Sequence, residues 1–305
     1  MFRYKLYGLH VESEIEIMQL SAAGEDEYFS DTGKVTIRKG HIAESVRELL
    51  ADSPKPYSIG FETSFFENKY GFYHIQNGTE IKYEPKEAVS IELVKNFILG
   101  YCFAMLLLQR STLAIHCSAV CFPKESKKEG ALLIVGNSGA GKSTLTRKLI
   151  DKGFGFMADD MAAIDINEEI FVEPAFPYQK LCRNEVEANN MNQKELIYID
   201  EDKDKYLIPV KDIFIDVPQK LLGMICIIPA EGKNVEIHKL SGIDQFLMFR
   251  NNVFMHKLKG QWENDKQFLD LCLKAAGMCP VYVITRPIGK DTADGMAEKI
   301  ISLDI

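Results

Sequence analysis

No two cysteines in this chain sit at CxxC spacing. The cysteines present (Cys102, Cys117, Cys121, Cys182, Cys226, Cys272 and Cys279) are scattered and odd in number. That argues against the usual zinc frameworks and a disulfide scaffold, and suits reduced thiols in a cytoplasm. His116 with Cys117 and Cys121 is a local group of metal-ligand types, but an alternating strand accounts for it more simply. A long apolar run is also missing. The stretch Phe97–Leu108 falls short of the roughly 20 residues a membrane helix needs. The opening MFRYKLYGLHVESEIEI is broken by charges and lacks a cleavage site, so neither a secretory signal nor a membrane partner is expected. Positive charge is in deficit: 36 Lys and Arg against 44 Asp and Glu leave a net charge of -8, which gives no overall reason to bind nucleic acid or anionic lipid. There is no internal repeat and no low-complexity segment. What is present is the composition of a folded protein, 46% hydrophobic and 26% charged, long enough at 305 residues for one large domain or two smaller ones.

Residues 1–90 read as a β-rich N-terminal domain. Short strand-like segments (FRYKLYGLHV, KVTIRKG, YSIGFET, GFYHIQ, TEIKYEP) are separated by polar turns, and Asn77-Gly78 between the last two is a hairpin signal. One helix is expected at HIAESVRELLADS. Pro85 begins a change of rhythm. The segment EAVSIELVKNFILGYCFAMLLLQR is apolar on most sides in its second half and predicts a buried helix, and residues 91–305 are read as the second domain. LAIHCSAVCF and ALLIV then read as successive strands around a charged turn.

ALLIV leads into GNSGAGKS, residues 136–143, which fits G-x-x-x-x-G-K-[ST] between a strand and a helix. Gly136, Asn137, Ser138, Gly139, Ala140, Gly141, Lys142, Ser143 and Thr144 are therefore the expected triphosphate contacts. Backbone amides and the helix N-terminus would cradle phosphate oxygens, Lys142 would reach the β and γ phosphates, and the Ser143 hydroxyl would ligate Mg²⁺. The rival account is a glycine-rich turn with no ligand, which would need neither the lysine nor the serine. The helix LTRKLIDK stops at Gly153, and the strand FGFMA after it ends in Asp159-Asp160. Ligands of open α/β sheets gather beyond the carboxyl ends of strands, so the loop and both carboxylates should share one rim. One carboxylate can serve Mg²⁺ and the other can take a proton from an attacking hydroxyl. Alternatively, one is a metal-associated aspartate and the other only a helix cap. His116 would either hydrogen-bond one of the aspartates and tune it, or be a satisfied structural histidine.

The succession Leu113-Ala-Ile-His116-Cys-Ser-Ala-Val120, Gly136 to Ser143, Lys152-Gly153 and Ala158-Asp159-Asp160 resembles the C-terminal catalytic domain of HPr kinase/phosphorylase. It is closer still to the HPr-kinase-like proteins of modified-peptide pathways, including those that phosphorylate lasso-peptide precursors. The resemblance covers roughly residues 100–190. It implies an α/β P-loop kinase domain related to the phosphoenolpyruvate carboxykinase core, preceded by the small β-rich domain. It further implies ATP and Mg²⁺ as cofactors, Asp159 as catalytic carboxylate with His116 as its partner, and Lys142 and Ser143 as phosphate and Mg²⁺ contacts. Asp160 would be the second aspartate, near the metal and a basic residue. The family's E-x-R-G signature is absent from residues 173–187, which puts the phosphorylase reaction in doubt. Lys180, Arg183 and Glu185 in that stretch could supply transition-state charge and a further metal ligand, or be ordinary surface charge. Arg286, in VYVITRP, is a candidate for binding nucleotide or acceptor phosphate, or else a solvated arginine in a turn.

An ABC ATPase would carry an LSGGQ-like stretch and a GTPase an N-K-x-D guanine reader, and neither occurs. The expected activity is transfer of the ATP γ-phosphoryl group to a serine-type hydroxyl of a peptide or protein acceptor, such as a modified-peptide precursor or a phosphocarrier. A small-molecule kinase and a non-catalytic ATP-binding module are the rivals. The N-terminal strands offer an edge for peptide pairing, and homo-oligomerisation stays open.

Overall fold

The computed structural model describes residues 1–24, 33–188, 191–193, 196–199 and 204–305. The chain divides into two compact units: Met1–Ala114 with Phe254–Leu271, and Ile115–Val253 with Cys272–Ile305.

In the first unit the strands β1 (Phe2–Leu6), β2 (Leu9–Ser13), β3 (Ser21–Ala22), β4 (Lys34–Lys39), β5 (Tyr57–Ser58), β6 (Thr63–Glu67), β7 (Gly71–Gln76) and β8 (Glu80–Pro85) make one sheet in the order β3-β1-β2-β4-β8-β7-β6-β5. The segment FRYKLYGLHV, read as one strand, is a hairpin: Tyr7 and Gly8 take φ of 53° and 71°, and Leu6 faces Leu9. Positive φ at both central residues gives the turn a twist that matches the flanking strands. Asn77 and Gly78, at φ of 52° and 63°, turn β7 into β8 as their pairing signal predicts. The expected helix is α1 (Glu44–Ala51).

α2 (Ile91–Phe97), a π turn (Ile98–Cys102) and α3 (Phe103–Gln109) run on as one 19-residue helix, Ile91–Gln109. By length and composition this helix could cross a membrane, which the shorter run Phe97–Leu108 could not. Its apolar side chains are used inside the first unit. Phe103 to Leu108 are all buried, the Phe97 ring lies 6.0 Å from that of Tyr73, and Phe103 meets Tyr7 edge-on at 6.0 Å. The helix therefore groups with the β-rich unit, whereas composition drew the boundary at residue 90. Burial against the sheet, invisible to a local composition shift, is the reason.

After β9 (Leu113–Ile115), the second unit contains β10 (Ser118–Cys121), β11 (Ala131–Val135), α4 (Lys142–Asp151), β12 (Gly155–Ala158), β13 (Ala162–Ile166), β14 (Ile170–Glu173), β15 (Tyr178–Cys182), α5 (Arg183–Ala188), β16 (Ile197–Ile199), β17 (Lys205–Pro209), β18 (Gln219–Ala230), β19 (Glu236–Lys239) and α6 (Ile243–Asn251). α7 (Lys266–Met278), β20 (Val281–Pro287) and α8 (Ala293–Ile301) complete the chain. The main sheet runs β12-β10-β11-β18-β14-β13, with β20 beside β18 and β19 beside β20; β15, β17 and β16 form a separate small sheet. This is a mixed α/β arrangement.

Direction matters most for the site. β11 is parallel to β18, and β18 to β20. β10 is antiparallel to both β11 and β12, so those two strands point the same way and end at one rim. The first residue of β10, Ser118, therefore starts at the rim where β12 finishes. Leu145 and Leu149, one turn apart on α4, bury against Leu132, Ile134 and Ile225 of the sheet, while Met296 and Ile300 of α8 pack into the same cluster. Truncating such a leucine to alanine costs about 2–5 kcal/mol, so this cluster holds α4 and its leading loop in place.

Candidate functional site

The loop between β11 and α4 is shaped by its glycines. Gly136 sits at φ +146°, where a Cβ would stand 2.8 Å from the Ile227 carbonyl oxygen. Gly141 sits at φ +106°, immediately before the first residue of α4, with the Arg286 guanidinium beside it. Side chains rarely adopt either conformation. Asn137, Ser138 and Gly139 are exposed and Ala140 is buried against the core. The result is a strand, a tight glycine loop and a helix start whose first amides have no partner within the helix, which is the standard geometry for holding an anion. Lys142 Nζ folds back to donate to the Gly136 carbonyl at 2.7 Å and reaches the Asn137 carbonyl at 3.4 Å. Burial holds its ammonium below the usual lysine range, against the pull of Asp159 and Asp160.

Arg286 lies beneath this loop. Its Nε donates to the Ala140 carbonyl at 2.7 Å and its Nη2 reaches the Gly139 carbonyl at 3.5 Å. The residue read as a phosphate-binding candidate thus touches the loop's backbone.

Asp159 and Asp160 follow the last residue of β12. Asp160 is at φ +68°, and Met161 N donates to the Asp159 carbonyl at 2.8 Å, so the chain turns sharply here. Aspartate tolerates this left-handed conformation better than most residues. The turn sends the two carboxylates into different surroundings. Asp159 Oδ1 accepts from Ser118 Oγ at 2.7 Å, and Oδ2 accepts from the Lys180 amide at 2.8 Å. Loss of hydration nevertheless raises its pKa above the ordinary value, since neither donor fully offsets it and the Asp160 charge adds to it. For Asp160 burial acts in the same upward direction, but the Lys180 ammonium, joined by His116 when protonated and by the Lys205 charge, outweighs it and holds the carboxyl down at about 2. Lys180 Nζ lies 3.3 Å from Asp160 Oδ2. One carboxylate is thus made basic and its neighbour kept ionised.

His116 falls in the break between β9 and β10, which the sequence read as one continuous strand. Its Nδ1 donates to the Asp160 carbonyl at 2.9 Å and lies 3.5 Å from Asp160 Oδ1. Its partner is therefore the second aspartate. Burial lowers its pKa, so the ring is neutral at pH 7, with Nδ1 protonated and Nε2 the basic nitrogen.

Ser143 is in the first turn of α4, partly buried. Thr144 Oγ1 reaches Glu185 Oε1 at 3.5 Å, and Glu185 Oε2 accepts from the Cys182 amide at 3.1 Å. The fold therefore brings the Glu185 carboxylate beside the start of α4, with both oxygens engaged. Arg183, in contrast, gives its guanidinium to Asp204 on the exposed side. Among the described residues, no group of three or more His, Cys, Asp and Glu side chains converges as a metal site. A divalent ion held by Ser143 and Asp160 would draw further ligands from phosphate and water, which is how Mg²⁺ is usually bound.

Sequence reasoning missed Ser118, although a hydroxyl inside an otherwise apolar strand is a usable signal.

Fold and site together define an α/β unit in which a glycine loop shares a rim with a carboxylate pair whose pKa values are pushed in opposite directions. No family model matches the sequence, and no curated protein matches it. Among solved structures, the Hpr(Ser) kinase/phosphatase from Coxiella burnetii matches over 62% of this chain and 92% of that one, at 15% identity and a TM-score of 0.32.

Proposed function

We propose that the second unit is an ATP-dependent phosphotransferase that moves the γ-phosphoryl group to a serine-type hydroxyl of a peptide or protein acceptor. The observation that carries this reading is the splitting of Asp159 from Asp160 at the rim of the glycine loop: a retained nucleotide needs a cradle and an ionised carboxylate, but it does not need a second carboxylate made basic. In the proposed step the acceptor oxygen attacks the γ-phosphorus, the bond to the β-phosphate oxygen breaks, ADP leaves, and the hydroxyl proton passes to Asp159. Ser118 and the Lys180 amide orient the accepting carboxylate. Lys142 leaves the Gly136 carbonyl for the phosphate oxygens and balances the charge that builds between them. Arg286 braces the carbonyl side of the loop so that its amides face the ligand. The Ser143 hydroxyl and Asp160, with Glu185 close by, would hold Mg²⁺, which would supply charge neutralisation on the phosphate oxygens. Positioning and electrostatics then provide most of the acceleration, as phosphoryl transfer generally requires. His116, neutral and bonded to the Asp160 backbone, fixes the sharp turn that separates the carboxylates.

We also assign the chain to the cytoplasm, where its unpaired cysteines stay reduced. The test is mass spectrometry of candidate hydroxyl-bearing peptides after incubation with the full chain, ATP and Mg²⁺. A mass increase of one phosphoryl group on a peptide serine supports the assignment. Phosphorylation of small-molecule hydroxyls alone would replace the acceptor class, and ATP binding with no turnover would reduce the unit to a nucleotide-binding module.

A further inference from the structure

The cations around the carboxylate pair are nearly all committed to the protein itself. Lys142 is on the Gly136 carbonyl, Lys180 on Asp160, and Arg286 on the Ala140 and Gly139 carbonyls. Lys205 is different. The register of the small sheet sets Lys180 opposite Leu207 and Cys182 opposite Lys205. Alternate residues of a strand face opposite sides, and the intervening Leu181, Tyr206 and Ile208 pack together with Val186 into their own small core. Lys205 consequently shares the face of Lys180, whose side chain reaches Asp160. The charge of Lys205 is felt by Asp159, Asp160 and Lys142 alike. Among the described residues its ammonium group makes no ion pair and no hydrogen bond.

The start of β17 is also fastened. Asp204, at φ +49°, accepts both Nε and Nη2 of Arg183, at 2.5 and 3.1 Å, and its carbonyl accepts from the Arg183 amide at 3.1 Å. A half-buried lysine on the face of Lys180, electrostatically coupled to both aspartates and bonded to none of the described residues, is a donor set aside for a ligand.

We infer that Lys205 is a phosphate-binding residue of this site, contacting the terminal phosphate of the nucleotide from the small sheet while Lys142 contacts it from the glycine loop. The inference rests on the phosphotransferase reading and adds to it a second, sequence-distant cation that distinguishes triphosphate from diphosphate.

Equilibrium binding of Mg-ATP and Mg-ADP to the full chain and to Lys205→Met tests it. Lys205→Met should weaken ATP binding by about tenfold, the size expected when one charge-assisted hydrogen bond is lost, and leave ADP binding unchanged; Lys205→Arg should recover most of the loss. Equal effects on ATP and ADP, or no effect on either, would overturn the assignment while leaving the nucleotide site standing. A wild-type chain that binds neither nucleotide would overturn the phosphotransferase reading and Lys205 with it. Because the ammonium group makes no hydrogen bond or ion pair within the described protein, Lys205→Met should still fold, with a melting temperature lowered only slightly by the lost attraction to Asp159 and Asp160. If that variant does not fold, Lys205→Gln carries the same comparison.

Discussion

Ser118 Oγ donates to Asp159 Oδ1 at 2.7 Å, across the junction where one strand begins and another ends. The antiparallel pairing of β10 with β12 creates this meeting, and Ser118 itself is fully buried. The hydrogen bond favours the ionised carboxylate, whereas burial disfavours it. Removing the hydroxyl should therefore raise the Asp159 pKa further. In Ser118→Ala the acidic limb of kcat/KM against pH should move to higher pH, with a loss of roughly ten- to a hundredfold at neutral pH from misorientation. A lower kcat/KM with an unmoved limb would mean that Ser118 acts on folding alone.

Arg286 should matter to the loop's shape. Arg286→Ala strips the donor from the Ala140 carbonyl and should cost about 1–3 kcal/mol of stability together with a fall in ATP affinity. A lysine at this position would retain the charge without the two-pronged geometry, so Arg286→Lys should recover only part of either. Denaturant midpoints and ATP titrations on the two variants check this. Unchanged values in Arg286→Ala would show the contact to be incidental.

Gly136 is constrained by both its own φ and the Ile227 carbonyl. Gly136→Ala should destabilise the chain by about 1–3 kcal/mol, the usual cost of a strained backbone conformation, and lower ATP affinity by moving the loop off the end of β11. A denaturant midpoint equal to wild type would contradict the steric account.

Asp160 gives a pH dependence of opposite sign to Asp159. Its folded pKa, about 2, lies below the ordinary 3.8, so its stabilising contribution is present above the ordinary value and is lost as pH falls through the folded one. With solvent screening, this amounts to about 1–2 kcal/mol. Lys180→Met should flatten the stability curve between about pH 4 and pH 2, measured by thermal melts across that range. A curve identical to wild type would mean that Lys180 does not hold the carboxylate down.

Much of this site can be read along the chain because its parts are local. The apolar ALLIV, the glycine spacing of residues 136–141, Lys142-Ser143 and the acidic doublet after FGFMA are contiguous motifs, and each marks its own element. The break at His116 was not legible, since apolar alternation runs through it unaltered, nor was the hairpin at Tyr7-Gly8. Ser118, the Lys180 amide and Lys205 escaped for a different reason. Their importance comes from strand register over separations that no short pattern encodes: the Lys180 amide reaches Asp159 only because β15 returns alongside the doublet, and Lys205 joins it only because β17 pairs with β15. The grouping of helix 91–109 with the first unit likewise depends on where its buried side chains pack.

The central claim is that Asp159 accepts the proton in phosphoryl transfer. Burial makes ionised Asp159 costlier in the fold than in water, so Asp159→Asn, which removes that charge, should keep a stability close to wild type at pH 7. The direct measurement is turnover of ATP γ-phosphoryl by Asp159→Asn alongside its equilibrium ATP affinity. Affinity close to wild type with turnover reduced by about 10²- to 10⁴-fold is the expected result, and turnover near the wild-type rate by a variant that binds ATP normally would contradict it.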